Sequence, residues 1–148
     1  MTYKTLITLF ESFAVQHPFL QGHFSWGNLS DYQRNEYIQQ YPALHIVPYP
    51  STLADTATYF TFNIVIFDLN NEWADMSANS NQLDSLSLCH EILNDFYNWF
   101  INQLTQYGYY LQTPFQFSPF IDRWKESVVG VEAQITIISD QTACIPPL

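Results

Sequence analysis

The stretch from Gln82 to Tyr107 constrains this chain most, because a helix so long with so wide an apolar arc has to be covered on several sides. Projected at 3.6 residues per turn, Leu83, Leu86, Cys89, His90, Ile92, Leu93, Phe96, Tyr97, Phe100, Ile101, Leu104 and Tyr107 fall on one half of the cylinder. Asp84, Ser87, Glu91, Asn94, Asp95, Asn98 and Asn102 fall on the other. One sheet face does not need that much apolar surface, so the helix is expected to touch a sheet and also a second helix or a neighbouring subunit. Ser80 or Asn81 can cap its first turn, Asp84 suits the positive end of the helix dipole, and Gly108 can take the left-handed position past its end.

A chain of 148 residues fits one domain with one core, spanning 1–148, and a domain of this size buries roughly 70% of the surface its unfolded chain exposes. Only 12% of the residues are charged and 18% are aromatic, so much of the surface must be amide, hydroxyl and aromatic. That suits a subunit covered by other subunits better than a free monomer, the alternative being an ordinary soluble domain rich in aromatics. The net charge is −10, with Lys4, Arg34, Arg123 and Lys125 as the cations, which weighs against gripping nucleic acid. An acidic lumen that DNA slides past remains compatible with it. Cys89 and Cys144 have no paired spacing and are read as reduced. The start MTYKTL lacks a long apolar run, and no stretch reaches the ~18 apolar residues of a membrane span. A soluble chain is predicted, neither secreted by a signal peptide nor inserted in a membrane.

Along the chain, residues 3–16 read as a helix with Leu6, Leu9, Phe10, Phe13 and Ala14 on one stripe, ended by Pro18. Phe19 to Gln40 carries aromatics and turn formers without a period and reads as a contact loop. Strands are predicted at 43–49, 59–69, 109–117 and 128–139, with Leu44 and Ile46, then Phe60, Phe62, Ile64 and Ile66, then Val129, Val131, Ala133, Ile135 and Ile137 on the inward faces. The other face of 59–69, with Tyr59, Val65 and Phe67, is only half polar. Ser51–Thr58, Asn70–Asn81 and Pro119–Glu126 read as turns or loops, and 140–148 as an extended C-terminal arm. The fold class predicted is α+β in two layers: a four-stranded antiparallel sheet with the N-terminal helix and the long central helix packed on one face.

Chemistry has little to start from. His17 and His23 flank a loop at a spacing that no common zinc pattern uses, and structural hydrogen bonding is the simpler role for them. His45 lies in a strand, and His90 reads as a hydrogen-bonded residue at the margin of the apolar arc. Cys89 and His90 are adjacent on a helix, about 100° apart, and do not face each other as a nucleophile and base would. Asp68, Glu72, Asp75 and Asp84 surround one loop and read as its solvated charges rather than a hydrolase pair or a magnesium site. GxSxG, P-loop, GxGxxG and HExxH patterns are all lacking, and four glycines offer little for a phosphate cradle. No catalytic residue, cofactor or metal is therefore assigned.

Several sparse motifs together form a pattern. His17-Pro18, Phe24 to Gly27 with Asp31 behind, and Tyr41-Pro42 before the first strand resemble the opening of small neck and tail-ring proteins of tailed bacteriophages, those of crAss-like phages most of all. The second half agrees, with Asp68 ending the long strand, Ser85 and Leu86 to Leu93 opening the long helix, Asp122 before Val128-Val129-Gly130-Val131, and Cys144-Ile145-Pro146. In that pattern the residue after the glycine is commonly aromatic; here it is Val131. The resemblance implies a tail-terminator-like fold and a virion structural protein, not an enzyme. Such a protein forms a homo-oligomeric ring at the head-tail neck or the top of the tail, beside portal or tail proteins. DNA passes through its lumen, and it has no cofactor and no membrane contact. Phe19, Phe24, Trp26, Tyr32, Tyr59, Val65, Phe67, Trp124, Cys144 and Ile145 are the candidate subunit contacts. A small adaptor binding one partner through residues 19–32, or an enzyme using His17, His23 or the carboxylate loop, are the alternatives.

Overall fold

The computed structural model describes residues 2–28, 40–69, 78–123 and 127–140. Its elements run α1 (Tyr3–Gln16), β1 (Phe24–Trp26), β2 (Ala43–Pro48), β3 (Thr52–Leu53), β4 (Ala57–Leu69), α2 (Ala78–Gln106), β5 (Tyr109–Leu111), β6 (Phe117–Arg123) and β7 (Ser127–Asp140). The α+β class holds, but the four-stranded antiparallel sheet does not. Among the described residues the sheet has seven strands in the order β1-β2-β4-β7-β5, with β3 on β4 and β6 on β7, and it is mixed because β1 runs parallel to β2. The tail-terminator-like arrangement that the resemblance implied, expected here on four antiparallel strands, is corrected with it. Two of the unexpected strands are three and two residues long, shorter than any alternation that a period can register. The third, β6, contains Pro119 and reads in sequence as a turn; at a sheet edge a proline is tolerated.

α1 forms where the periodicity places it, and α2 follows the periodic stretch but begins at Ala78, inside the segment that reads as a loop. Thr2 caps α1, its side-chain oxygen accepting the Thr5 N–H, and Gly108 leaves α2 with φ +76°, a conformation that a residue with a Cβ resists. Ser80 and Asn81 are not caps: α2 begins at Ala78, so both lie inside the helix.

The core lies between the helices and the inward sheet face. Leu44, Ile46, Phe60, Phe62, Ile64, Ile66, Val131, Ile135 and Ile137 are buried against Leu6, Phe10, Phe13, Ile92, Phe96, Phe100 and Leu104. Ring contacts tie the layers together: Phe10 meets Phe62, Phe96 and Phe100 at centroid distances of 5.2, 5.8 and 5.0 Å. Phe13 reaches Phe96 at 5.3 Å and Trp99 at 5.6 Å. The wide arc of α2 is thus divided, one part on β4, β5 and β7 and another on α1.

The other sheet face differs from expectation at one end. Val65 and Phe67 are 1% and 0% exposed. With Ala43 and Val128 they form a second buried cluster, flanked by Tyr41 and Phe120. The reason is the unexpected strand: β6 beside β7 brings Phe120 opposite Gly130, and Gly130 is also opposite Phe67.

Candidate functional site

Most of the described residues that could do chemistry are occupied with structure. His17 ends α1, its backbone N–H bonding the Phe13 carbonyl. Its Nδ1 accepts the Phe19 backbone N–H at 3.2 Å, which leaves Nε2–H to donate to Asp95 Oδ2 at 2.9 Å. Backbone N–H can only donate, so the tautomer follows. A histidine whose second nitrogen holds a backbone amide is a strut between α1 and α2, and it has no lone pair left to act as a general base. His23 donates from Nδ1 to the Pro42 carbonyl at 3.0 Å, tying the loop after α1 to the start of β2.

His45 sits opposite Ser25 across the parallel β1–β2 pair. Nε2–H donates to the Gly27 carbonyl at 3.0 Å, so Nδ1 accepts the Ser25 hydroxyl at 2.7 Å. A hydroxyl on an imidazole is the start of a nucleophilic dyad, but neither residue lines any of the three grooves described below. The bonds satisfy a buried imidazole and fix where β1 joins the sheet.

Burial pushes His45 below its ordinary value of 6.5, with the Gly27 carbonyl pulling the other way. The unfolded chain therefore takes up a proton at His45 more readily than the folded chain. The stability this residue contributes is present above its unfolded value and is lost as pH falls through it. Urea denaturation is expected to shift to lower midpoints between about pH 7.5 and about pH 5.5, and less steeply in His45→Gln. Equal pH slopes in the two proteins would remove His45 from this role.

Cys89 is a free, buried thiol whose Sγ–H points at the Val129 carbonyl, 3.7 Å away. Burial, with a smaller contribution from Asp68, pushes the thiol well above its ordinary range. A thiolate is the reactive form. In a Cys144→Ser protein, a thiol reagent is expected to label Cys89 only as fast as the fold opens, and labelling within mixing time in native buffer would contradict this burial. Of the carboxylate loop, Asp68 accepts the Leu69 N–H, Asp84 is exposed on α2, and Glu72 and Asp75 lie outside the described residues. Among the described residues no three His, Cys, Asp or Glu side chains stand together as metal ligands would. No helix there is long and apolar enough to cross a membrane.

The surface is more informative. Of the candidate contacts, Phe19 and Trp26 are 51% and 60% exposed and Tyr59 is also exposed, while Phe24 is half-buried against the core. Val65 and Phe67 are corrected to core residues, covered by this chain itself. Tyr32, Trp124, Cys144 and Ile145 lie outside the described residues.

Among the described residues, three grooves open on the helix side. One of about 540 Å³, between α1 and the β1–β2 edge, is lined by Tyr3, Lys4, Ile7, Thr8, Trp26 and Pro48. A second, of about 480 Å³, lies between α2 and the β5–β6 connection and is lined by His90, Leu93, Asn94, Tyr97, Thr113, Pro114, Phe115 and Phe117. The third, about 230 Å³, is the cleft beside the His17–Asp95 pair, with Phe13 and Trp99 as its wall.

The second groove was not legible as a surface in the sequence. His90 does sit at the margin of the apolar arc, but its partner is the Phe117 ring, stacked on it at 5.1 Å and 23°. The one signal that could have found it is the excess of the arc itself, since Leu83 and Tyr107, on the same side of α2, stay exposed. No protein-family model matches the chain, and no curated protein matches it in sequence.

Proposed function

We propose that this chain is a virion structural protein that assembles with copies of itself into a ring at the head-tail neck, or the top of the tail, of a tailed bacteriophage. There it joins the portal-proximal region to the tail. The observation that carries this is the placing of exposed aromatic side chains at two separate edges of one small domain, Trp26 and Tyr3 at one and Phe117 and Tyr110 at the other. A closed ring needs two different complementary patches, whereas a twofold dimer needs only one. The motifs from His17-Pro18 through Val128-Val129-Gly130-Val131 supply the phage context. The net charge of −10 suits a lumen from which DNA is repelled as it passes, and the partners are further copies and the neighbouring portal, neck or tail proteins. The protein is made in the bacterial host and resides in the virion.

Mass photometry and negative-stain microscopy of the purified protein are expected to give closed rings, or complexes with portal or tail components. A monomer that binds none of them at any concentration would defeat the proposal. The exposed Phe19, next to the His17 strut, also suits an adaptor with a single partner; a one-to-one complex without self-association would favour that second reading.

A further inference from the structure

We infer that Trp26 of one copy seats in the groove between α2 and the β5–β6 connection of the next copy, so that the contact joins opposite edges of the sheet. The inference rests on the ring assembly proposed above and names its junction. β1 closes the sheet on one side, and β5 and β6 pair with β7 at the other. Each side carries a groove between a helix and the sheet edge, and the two are built differently.

The β1 side projects an indole. Trp26 is 60% exposed and shares its groove with Tyr3, Ile7 and Pro48. The far side offers a slot walled by rings: His90 on Phe117 at 5.1 Å and Tyr97 against Phe115 at 5.9 Å. Its volume of about 480 Å³ admits an indole with room to spare. Aromatic walls take an indole by offset stacking or edge contact, and tryptophan in a water-excluding pocket is the commonest kind of energetic anchor at an interface. Asn94 and Thr113, on the same groove, bring amide and hydroxyl oxygens that can accept the indole N–H.

Charge points the same way. Among the side chains the structure describes, Lys4 is the one Lys or Arg, and it lines the same groove as Trp26. Bordering the opposite groove, the solvent ridge of α2 carries exposed Glu91, one turn before Asn94, and exposed Asp84, seven residues before Glu91. Copies with a net charge of −10 repel one another at a distance, so a local cation facing local carboxylates is what fixes orientation. The two patches are unlike and lie at opposite edges, which makes the contact head-to-tail, the kind from which a ring is built. Pro119, the third residue of β6, has no backbone N–H to donate, which makes that edge a poor template for a further strand, so side chains carry the junction.

The experiment measures assembly of the wild type, Trp26→Ala, Asn94→Arg, and an equal mixture of the two variants, by mass photometry and sedimentation. Both substitutions are at exposed helix or edge positions, and unchanged melting temperatures verify the fold; Phe117→Gln replaces Asn94→Arg should that variant melt early. Trp26→Ala retains a sound groove and Asn94→Arg retains a sound indole. Each alone is expected to associate about 30-fold or more weakly than the wild type, and the mixture to form heterodimers and stop there. If the wild type forms no assembly, the ring reading fails and this junction with it. If the wild type forms rings and either variant does so at the same concentration, the junction alone is wrong. It is equally wrong if both variants are monomers and their mixture stays monomeric.

Discussion

Gly130→Ala is expected to cost about 3 kcal/mol or more, the largest effect of an alanine at any of the chain's four glycines. Gly130 lies in β7, opposite Phe67 of β4 on one side and Phe120 of β6 on the other. A Cβ there would overlap the Ile66 carbonyl oxygen and come within 2.8 Å of Phe67 Cα and 2.9 Å of Phe67 Cβ. These are backbone and near-backbone atoms of the adjacent strand, so no rotamer change relieves them. Relief requires pushing β4 from β7 along the longest pairing in the sheet. Because Phe67 anchors the second buried cluster, the damage should spread to Val65 and Val128. Chemical denaturation measures it, and a Gly130→Ala protein melting within about 2 °C of wild type would show that the strands yield easily there.

Truncating Phe96 should be comparably severe for a different reason. Its ring is fully buried and touches Phe10, Phe13 and Phe100, at 4.8 Å for the last. Phe96→Ala removes two of the ring contacts by which α2 holds α1, and leaves a cavity that the three neighbouring rings cannot collapse into. A loss of about 3–5 kcal/mol is expected. For a domain with a total stability of roughly 5–15 kcal/mol, that leaves a protein close to its threshold, with its melting temperature lowered on the order of 10 °C. Leu83→Ala on the same helix is the control. That side chain is exposed and should change stability by less than about 0.5 kcal/mol. Equal losses at both positions would refute the division of the α2 arc into a buried and an exposed part.

The sites divide along similar lines. His17 reads in the sequence as a residue in a structural hydrogen bond, and it bonds Asp95 seventy-eight positions away; the partner is not readable because nothing local couples the two. Ser25 is not legible as a site residue, since a serine in a three-residue strand has no motif, and only the pairing of β1 with β2 sets it on His45. Alternation puts Val65 and Phe67 on the outward face, and there they are buried and not at the surface. Alternation reports which face a side chain takes, and it is silent on whether that face meets water.

What the sequence determined by itself is local: where α1 and α2 run, which residues of β2, β4 and β7 point inward, and that α2 has more apolar surface than one sheet can cover. Those features repeat at 3.6 or 2 residues and are set by backbone geometry over a few neighbours. Only the tertiary structure decided that β1 pairs parallel with β2, that Pro119 sits in a strand, that Phe67 is core, and that His90 and Phe117 wall a groove. Each of those depends on segments tens of residues apart arriving side by side, and whether they do is settled by the packing of the whole chain.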